Sequence, residues 1–231
     1  MKKASIDCRG KTTREINVQI RDFIADHATE IEILSPAARH NLGVATIEPV
    51  KMVFDGSVGY FCGGMIDGPE ILVRGSAGWG LGETMMGGTI VVEGNAGNGA
   101  GAAIRNGTVV VRGHAAARAG ISMKGGLLMI GGSVGYMSGF MMQKGTLIVC
   151  GDAAEGLADS MYLGTVYIGG KFESLGHDTE VSEPTDEDWK FLRENLSRFE
   201  LPCDRPFRKI VAGRRLWNFD KKDFDIWKAV L

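Results

Sequence analysis

Short apolar triplets recur through the middle of the chain at one fixed interval: Ile71-Leu72-Val73, Ile90-Val91-Val92, Val109-Val110-Val111, Leu128-Met129-Ile130, Leu147-Ile148-Val149 and Val166-Tyr167-Ile168. Each starts 19 residues after the one before it. They are rich in β-branched side chains and have glycine on both sides, the pattern of a short strand between turns rather than of a helix. A second ladder keeps the same interval: Ile66, Met85, Ile104, Met123, Met142 and Met161. Its uniform Met or Ile character predicts side chains stacked inside a narrow core.

Glycine repeats in step with these ladders. Gly56, Gly75, Gly94, Gly113, Gly132, Gly151 and Gly170 form one 19-residue register; Gly63, Gly82, Gly101, Gly120 and Gly139, ending on Ala158, form another. A third runs Gly88, Gly107, Gly126, Gly145 and Gly164, with Pro69 in the first slot. A unit of this size cannot bury its own apolar residues, whereas stacked copies share one continuous core. Glycine at the corners supplies positive φ or close backbone approach. The expected fold is all-β: a right-handed parallel β-helix, the handedness following from the general preference of parallel crossovers. Coils pairing at roughly 4.8 Å each place Gly170 about 29 Å from Gly56 along the axis.

Within each strand the first and third residues share a face and the middle one points away. With the first and third inside, Val53, Leu72, Val91, Val110, Met129, Ile148 and Tyr167 form an outward apolar column. Such a stripe should not face water. It is expected to lie under another chain, or partly under the aromatic C-terminal stretch.

The ends break the repeat and read as caps, which an open solenoid needs. Thr12-Thr13-Arg14-Glu15 is a capping box opening a helix whose apolar face is Ile16, Ile20, Phe23 and Ile24. Ile31-Glu32-Ile33-Leu34 reads as a strand leading into the first coil. Glu183-Pro184-Thr185-Asp186 opens a second helix, with Thr185 as N-cap and Trp189, Phe191, Leu192, Leu196 and Phe199 on its apolar side. Trp217, Phe219, Phe224 and Trp227 follow, too aromatic for a disordered tail. The chain thus divides into an N-terminal helix and cap over 1–50, the repeat over 51–171, and a C-terminal helix with a docking tail over 172–231.

Composition narrows the function classes. Of 231 residues 44% are hydrophobic, and the formal charge of -2 leaves no broad basic surface for nucleic acid. No apolar run is long enough to span a membrane, and the polar stretch after Met-Lys-Lys is too short for a secretory core, so a cytoplasmic protein is expected. Cys8, Cys62, Cys150 and Cys203 show no metal-binding spacing and read as free, mostly buried thiols.

Candidate chemistry is sparse. His27, His40, His114 and His177 lie in separate regions, and His114 fills a corner slot held elsewhere by Ser57, Ser76, Asn95, Ser133 and Asp152. That slot reads as a polar turn position rather than a ligand. Gly97-Asn98-Gly99-Ala100-Gly101-Ala102 matches a loose dinucleotide fingerprint, but the repeat resumes where a helix should follow. Asp152, Glu155 and Asp159 read as solvated corner residues. One polar cluster is particular, Ser35-Pro36-Ala37-Ala38-Arg39-His40-Asn41, readable as a cap loop or as a ligand site. No catalytic or metal-ligating residue is assigned, and cofactor-binding residues remain unknown.

At Gly56-Ser57-Val58-Gly59, Gly75-Ser76-Ala77-Gly78 and Gly94-Asn95-Ala96-Gly97 the chain resembles the GXGXG domain family. That family includes the C-terminal domain of the glutamate synthase large subunit and the solenoid subunit of formylmethanofuran dehydrogenase. The likeness covers roughly 11–174. Arg14-Glu15-Ile16-Asn17, Arg39-His40-Asn41-Leu42-Gly43 and Leu216-Trp217-Asn218-Phe219 look closer to stand-alone domain-three proteins, including the N-methylglutamate synthase subunit. The resemblance implies a non-catalytic accessory subunit that packs glutaminase-like and FMN/iron–sulfur synthase modules, with FMN and the clusters on those partners. Two other readings stay open: a one-carbon complex of the formylmethanofuran dehydrogenase type, and a self-associating β-helix binding a small ligand near Arg39 and His40.

Overall fold

A computed structural model describes residues 2–213. The sequence folds into a parallel solenoid whose strands share one continuous sheet. In chain order its elements are β1 (Lys3–Asp7), α1 (Thr13–Ala25), β2 (Glu30–Leu34), β3 (Lys51–Asp55), β4 (Glu70–Val73), β5 (Thr89–Val92) and β6 (Thr108–Val111). There follow β7 (Lys124–Ile130), β8 (Lys144–Val149), β9 (Thr165–Ile168), β10 (Thr179–Ser182), α2 (Asp186–Arg198) and β11 (Arg208–Ala212). Strands β1 to β9 pair in sequence order, all parallel, and β11 and then β10 extend the sheet antiparallel beyond β9. From β3 onward the register is the 19-residue step of the sequence: Ile71 pairs with Ile90, Ile90 with Val109, and Val109 with Leu128.

The first and third strand residues point inward, as expected: Ile90 and Val92, Val109 and Val111, Leu128 and Ile130 are all buried. The Ile66 to Met161 ladder is buried too. Two further inward ladders complete the core. One is a line of single-residue parallel bridges from Val58 through Ala77, Ala96, Ala115, Val134 and Ala153 to Phe172. The other stacks Cys62, Leu81, Ala100, Ala119, Ser138 and Leu157, every one fully buried. Ser138 is tolerated there because its hydroxyl donates to the Gly135 carbonyl at 2.9 Å.

Opposite the sheet the chain does not run as a strand. Residues 61, 63 and 65 have φ of 59°, 64° and 58°, and the same three slots are left-handed in the coils that follow. Alternation turns successive amides up and down the axis. Phe61 N–H donates to the Trp79 carbonyl of the next coil at 2.7 Å, Gly63 N–H to Leu42 of the previous coil at 3.0 Å, and Met65 N–H to Glu83 at 2.9 Å. Every second backbone amide of this limb is thus paired between coils, with intervening amides such as Gly64 N–H bonded within the turn to the Phe61 carbonyl, in a conformation most residues disfavour. Glycine fills the central slot at 63, 82, 101, 120 and 139; only Ala158, φ 60°, departs.

The glycine registers split by cause. The central left-handed slot needs positive φ, whereas Gly94 and Gly132 are needed for clearance: a Cβ on either would stand 2.8 Å from the carbonyl oxygen of the matching glycine one coil earlier. Such contacts force the backbone to shift.

Both ends are built as caps. Thr12 and Glu15 form the expected capping box, and α1 buries Ile16 and Ile20 on the core. Thr185 and Asp188 form a second capping box opening α2. The unanticipated pieces are β1, which pairs with β2 before α1 and the first coil, and the antiparallel β10–β11 ribbon closing the other end.

Gly101 combines φ of 66° with a notional Cβ 3.1 Å from the Leu128 side chain. Gly101→Ala is expected to lose about 1–2 kcal/mol, and Gly101→Val, which adds branching against Leu128, about 3–4 kcal/mol. Chemical denaturation of both variants checks this; equal midpoints for Val and wild type would remove the left-handed slot from the account.

Candidate functional site

The polar positions flagged by the sequence serve the solenoid. His114 belongs to a side-chain ladder in which each coil accepts a backbone N–H from the next: Ser76 N–H donates to Ser57 Oγ, Asn95 N–H to Ser76 Oγ and His114 N–H to Asn95 Oδ1. Ser133 N–H then donates to His114 Nδ1 at 2.9 Å, Asp152 N–H to Ser133 Oγ, and Lys171 N–H to Asp152 Oδ1. His114 is a corner residue with its Nδ1 committed as an acceptor.

The Ser35–Asn41 cluster is tied together in the same manner. His40 Nδ1 accepts from the Tyr60 amide at 2.8 Å, and the Arg39 guanidinium donates to the carbonyls of Ser35 and Pro36. Asn17 of α1 clamps the loop from the other side, donating to the Asn41 carbonyl at 2.7 Å and accepting from Gly43 N–H at 3.0 Å. These bonds favour the cap-loop reading. His177 pairs with Asp159 at 2.9 Å. Among the described residues no three His, Cys, Asp or Glu side chains converge as metal ligands. None of their helices is long and apolar enough to cross a membrane.

The outward apolar column is covered along its second half by the chain itself. Val110, Met129, Ile148 and Tyr167 are buried together with Leu192, Leu201 and Phe207, and Trp189, Phe191, Leu196 and Phe199 pack around them. The cover is thus α2 and the strap of residues 199–207 after it. The aromatic stretch expected in this role from the sequence, 214–231, lies outside the described residues. Leu72 and Val91, on the first half of the column, stay half-buried at a cavity of about 390 Å³ between Arg112, Arg198 and Phe199.

A partly buried polar clasp fixes α2 in place. Tyr167 Oη donates to Asp188 Oδ1 at 2.5 Å, Lys209 Nζ donates to Asp188 Oδ2 at 2.7 Å, and the Thr185 amide donates to the same carboxylate. Burial works to raise the Asp188 carboxyl, but the bonds from Lys209, Tyr167 and Thr185 outweigh it and hold the group well below the usual carboxylate range. Burial, and then the bond to Asp188, raise the Tyr167 phenol.

A further surface feature is apolar and exposed. Ile47, Phe61, Met65, Trp79 and Met86 are 64%, 42%, 52%, 53% and 43% exposed, all on the left-handed limb of the first coils or the loop above it. The limb's alternating backbone sends Cys62 and Ile66 inward while Phe61 and Met65 face out. His40, Tyr60 and Trp79 stack as an open column, with ring centroids 4.4 and 5.2 Å apart. A hollow of about 330 Å³ lies between Val44, Phe61, Met65 and Glu83. In the next two coils the slots of Phe61 and Met65 hold Gly80, Gly99, Thr84 and Ala103, which bounds this face; a separate group of exposed apolar side chains, Tyr136, Met141, Tyr162 and Leu163, follows on the last coils. Sequence reading missed the first-coil face because its residues share no period; the signal available was Phe61 and Met65 in slots that the next two coils fill with glycine, threonine or alanine.

Fold and surface define a class: a glycine-laddered parallel solenoid with capped ends, a partly self-covered lateral face and an exposed apolar face on its first coils. No protein-family model matches the chain. Protein GlxC of Rhizobium meliloti (strain 1021) is 43% identical over 225 residues, spanning 96% of this chain and 99% of GlxC, and the chain belongs to the GlxC family. Among solved structures it is similar to a chain of the formyltransferase/hydrolase complex (FhcABCD) from Methylorubrum extorquens in complex with methylofuran. That match has a TM-score of 0.64 and 28% identity, covering 74% of this chain and 67% of the other.

The clasp sets a pH dependence. A carboxyl depressed on folding stabilises fully above its unfolded value near 4, and the contribution is lost as pH falls through the folded value. Asp188→Asn is expected to lose about 2–3 kcal/mol at neutral pH, the gap from wild type narrowing from about pH 5 towards about pH 2. Urea unfolding across that range measures it; a gap independent of pH would contradict the clasp.

Proposed function

We propose that this chain is a non-catalytic structural subunit of a glutamate-synthase-type or N-methylglutamate-synthase-type oxidoreductase complex. It holds glutaminase-like and FMN-dependent synthase subunits in their relative positions, with FMN and iron–sulfur clusters carried by those partners. The observation that carries this reading is the exposed apolar face on the first coils. Phe61 and Met65 on it are 42% and 52% exposed, while the next two coils keep Gly80, Gly99, Thr84 and Ala103 in the same slots. An apolar face of this kind marks a protein contact. The polar clusters that would otherwise suggest chemistry are spent on coil-to-coil bonds. The type of complex is supported by Arg14-Glu15-Ile16-Asn17, Arg39-His40-Asn41-Leu42-Gly43 and Leu216-Trp217-Asn218-Phe219, which resemble stand-alone domain-three proteins.

A second reading, a subunit of a one-carbon complex, is favoured by one observation: the similar solved chain belongs to a formyltransferase/hydrolase assembly.

The test is purification of the chain at native level, with mass spectrometry of what accompanies it and an absorbance spectrum. A yellow-brown complex containing a glutaminase-like chain and an FMN-binding chain is expected. Phe61→Glu with Trp79→Glu should weaken it at least about tenfold while leaving melting near wild type. A formyltransferase or hydrolase partner would establish the second reading, and a colourless homo-oligomer would overturn both.

A further inference from the structure

Cys150 and Cys203 are the two cysteines that the fold brings side by side. Cys150 follows β8 and belongs to the corner column of Arg112, Gly131, Cys150 and Gly169, one residue per coil. The strap after α2 runs along this column. Glu200 pairs with Arg112, Leu201 lies over Gly131, Cys203 over Cys150 and Gly169, and Arg205 reaches Asp152 at 3.0 Å. Glycine on either side of Cys150 is what admits the strap: a Cβ on Gly131 would meet Leu201 Cδ2 at 3.1 Å, and one on Gly169 would meet Cys203 Sγ at 3.3 Å. The Cys203 thiol donates to the Cys150 carbonyl at 3.9 Å, which sets it directly beside the Cys150 residue.

Their environments differ in a useful way. Cys150 is buried and Cys203 half-buried. Burial, and then the neighbouring Cys203, push the Cys150 thiol up, which leaves Cys203 as the thiol that meets a reagent first. Cys8 and Cys62 are buried in the core with no cysteine beside them in the ladder they occupy, and serve as internal controls.

We propose that Cys150 and Cys203 form a thiol pair that closes to a disulfide on exposure to a small-molecule disulfide, fastening the strap and α2 onto the outward apolar column. The chemistry is two exchanges. Cys203 thiolate attacks one sulfur of glutathione disulfide, forming a mixed disulfide and releasing one glutathione. Cys150 then attacks Cys203 Sγ, forming the Cys150–Cys203 bond and releasing the second glutathione. The protein loses two protons and two electrons, and the reagent gains them as two thiols. The closed bond spans a separation of 53 residues that includes β9, β10 and α2. Apart from its apolar contacts the strap is held by the exposed pairs Arg112–Glu200 and Arg205–Asp152, which are weak fastenings. A covalent link is therefore expected to register strongly in stability.

The test uses the full chain incubated with glutathione disulfide, quenched by alkylation, digested and read by mass spectrometry, with melting followed in parallel. Expected is a Cys150–Cys203 cross-linked peptide, melting raised by roughly 5–10 °C, and reversal by dithiothreitol. Cys8 and Cys62 should react only after unfolding. Cys150→Ala should stop at a glutathione adduct on Cys203, and Cys203→Ala should leave Cys150 unmodified. A wild-type chain that keeps the adduct on Cys203, or cross-links Cys203 elsewhere, would overturn the pairing. A Cys150–Cys203 link with unchanged melting would overturn the fastening.

Discussion

The solenoid hangs on hydrogen bonding between coils, at a 19-residue register from β3 to β9. Strand amides on one side and left-handed turn amides on the other are paired with the coils above and below, so the backbone closes around the core without a helix or a second full sheet. That closure sets the residue types. Positive φ in the limb calls for glycine at its central slot, and the corners call for glycine because consecutive coils nearly touch there. Side chains at Ser57, Asn95 and His114 carry the same pairing around the corner by accepting the next coil's amide. Buried backbone left unpaired at any of these places would oppose folding by an amount comparable to a lost hydrogen bond.

A structure closed in this way leaves three problems, and each is solved with different chemistry. The N-terminal end is sealed by α1, laid over the core between β1 and β2. The other end is sealed by reversing strand direction through β11 and β10. The sheet's outer apolar column is covered by α2 and the strap, pinned by a carboxylate shared between Tyr167, Lys209 and the helix cap. The apolar limb of the first coils stays exposed, and that surface is the reason to read the protein as a part of something larger.

Strict periodicity made much of this legible from the sequence alone. The strand triplets, the Met/Ile ladder and the glycine registers all repeat because the same steric need recurs in each coil. The Thr12–Glu15 capping box and the Thr185 N-cap were legible because their bonds are local; that Asp188 closes a second box with Thr185 was not read. What was not legible depends on contacts without a period. The ladder of Cys62, Leu81, Ala100, Ala119, Ser138 and Leu157 changes chemistry at almost every step, since its slot tolerates both small and large side chains. The apolar face of α2 was visible, but nothing local tells Leu192 that its partners are Val110 and Met129. Strand β1 is short and half polar, and the exposed Phe61 and Trp79 each occur once in their registers. Cys150 and Cys203 look unrelated until the strap brings them together.

The most direct test of the account is native-state hydrogen exchange at the limb amides of Gly82, Gly101 and Gly120, which donate to Cys62, Leu81 and Ala100 one coil earlier. If coil-to-coil bonding through the left-handed limb carries the fold, these amides will exchange as slowly as those of β5 and β6, opening only with the whole solenoid. Exchange at the rate of an exposed loop, with the strand amides still protected, would contradict that account and leave the sheet as the sole source of the structure's cohesion.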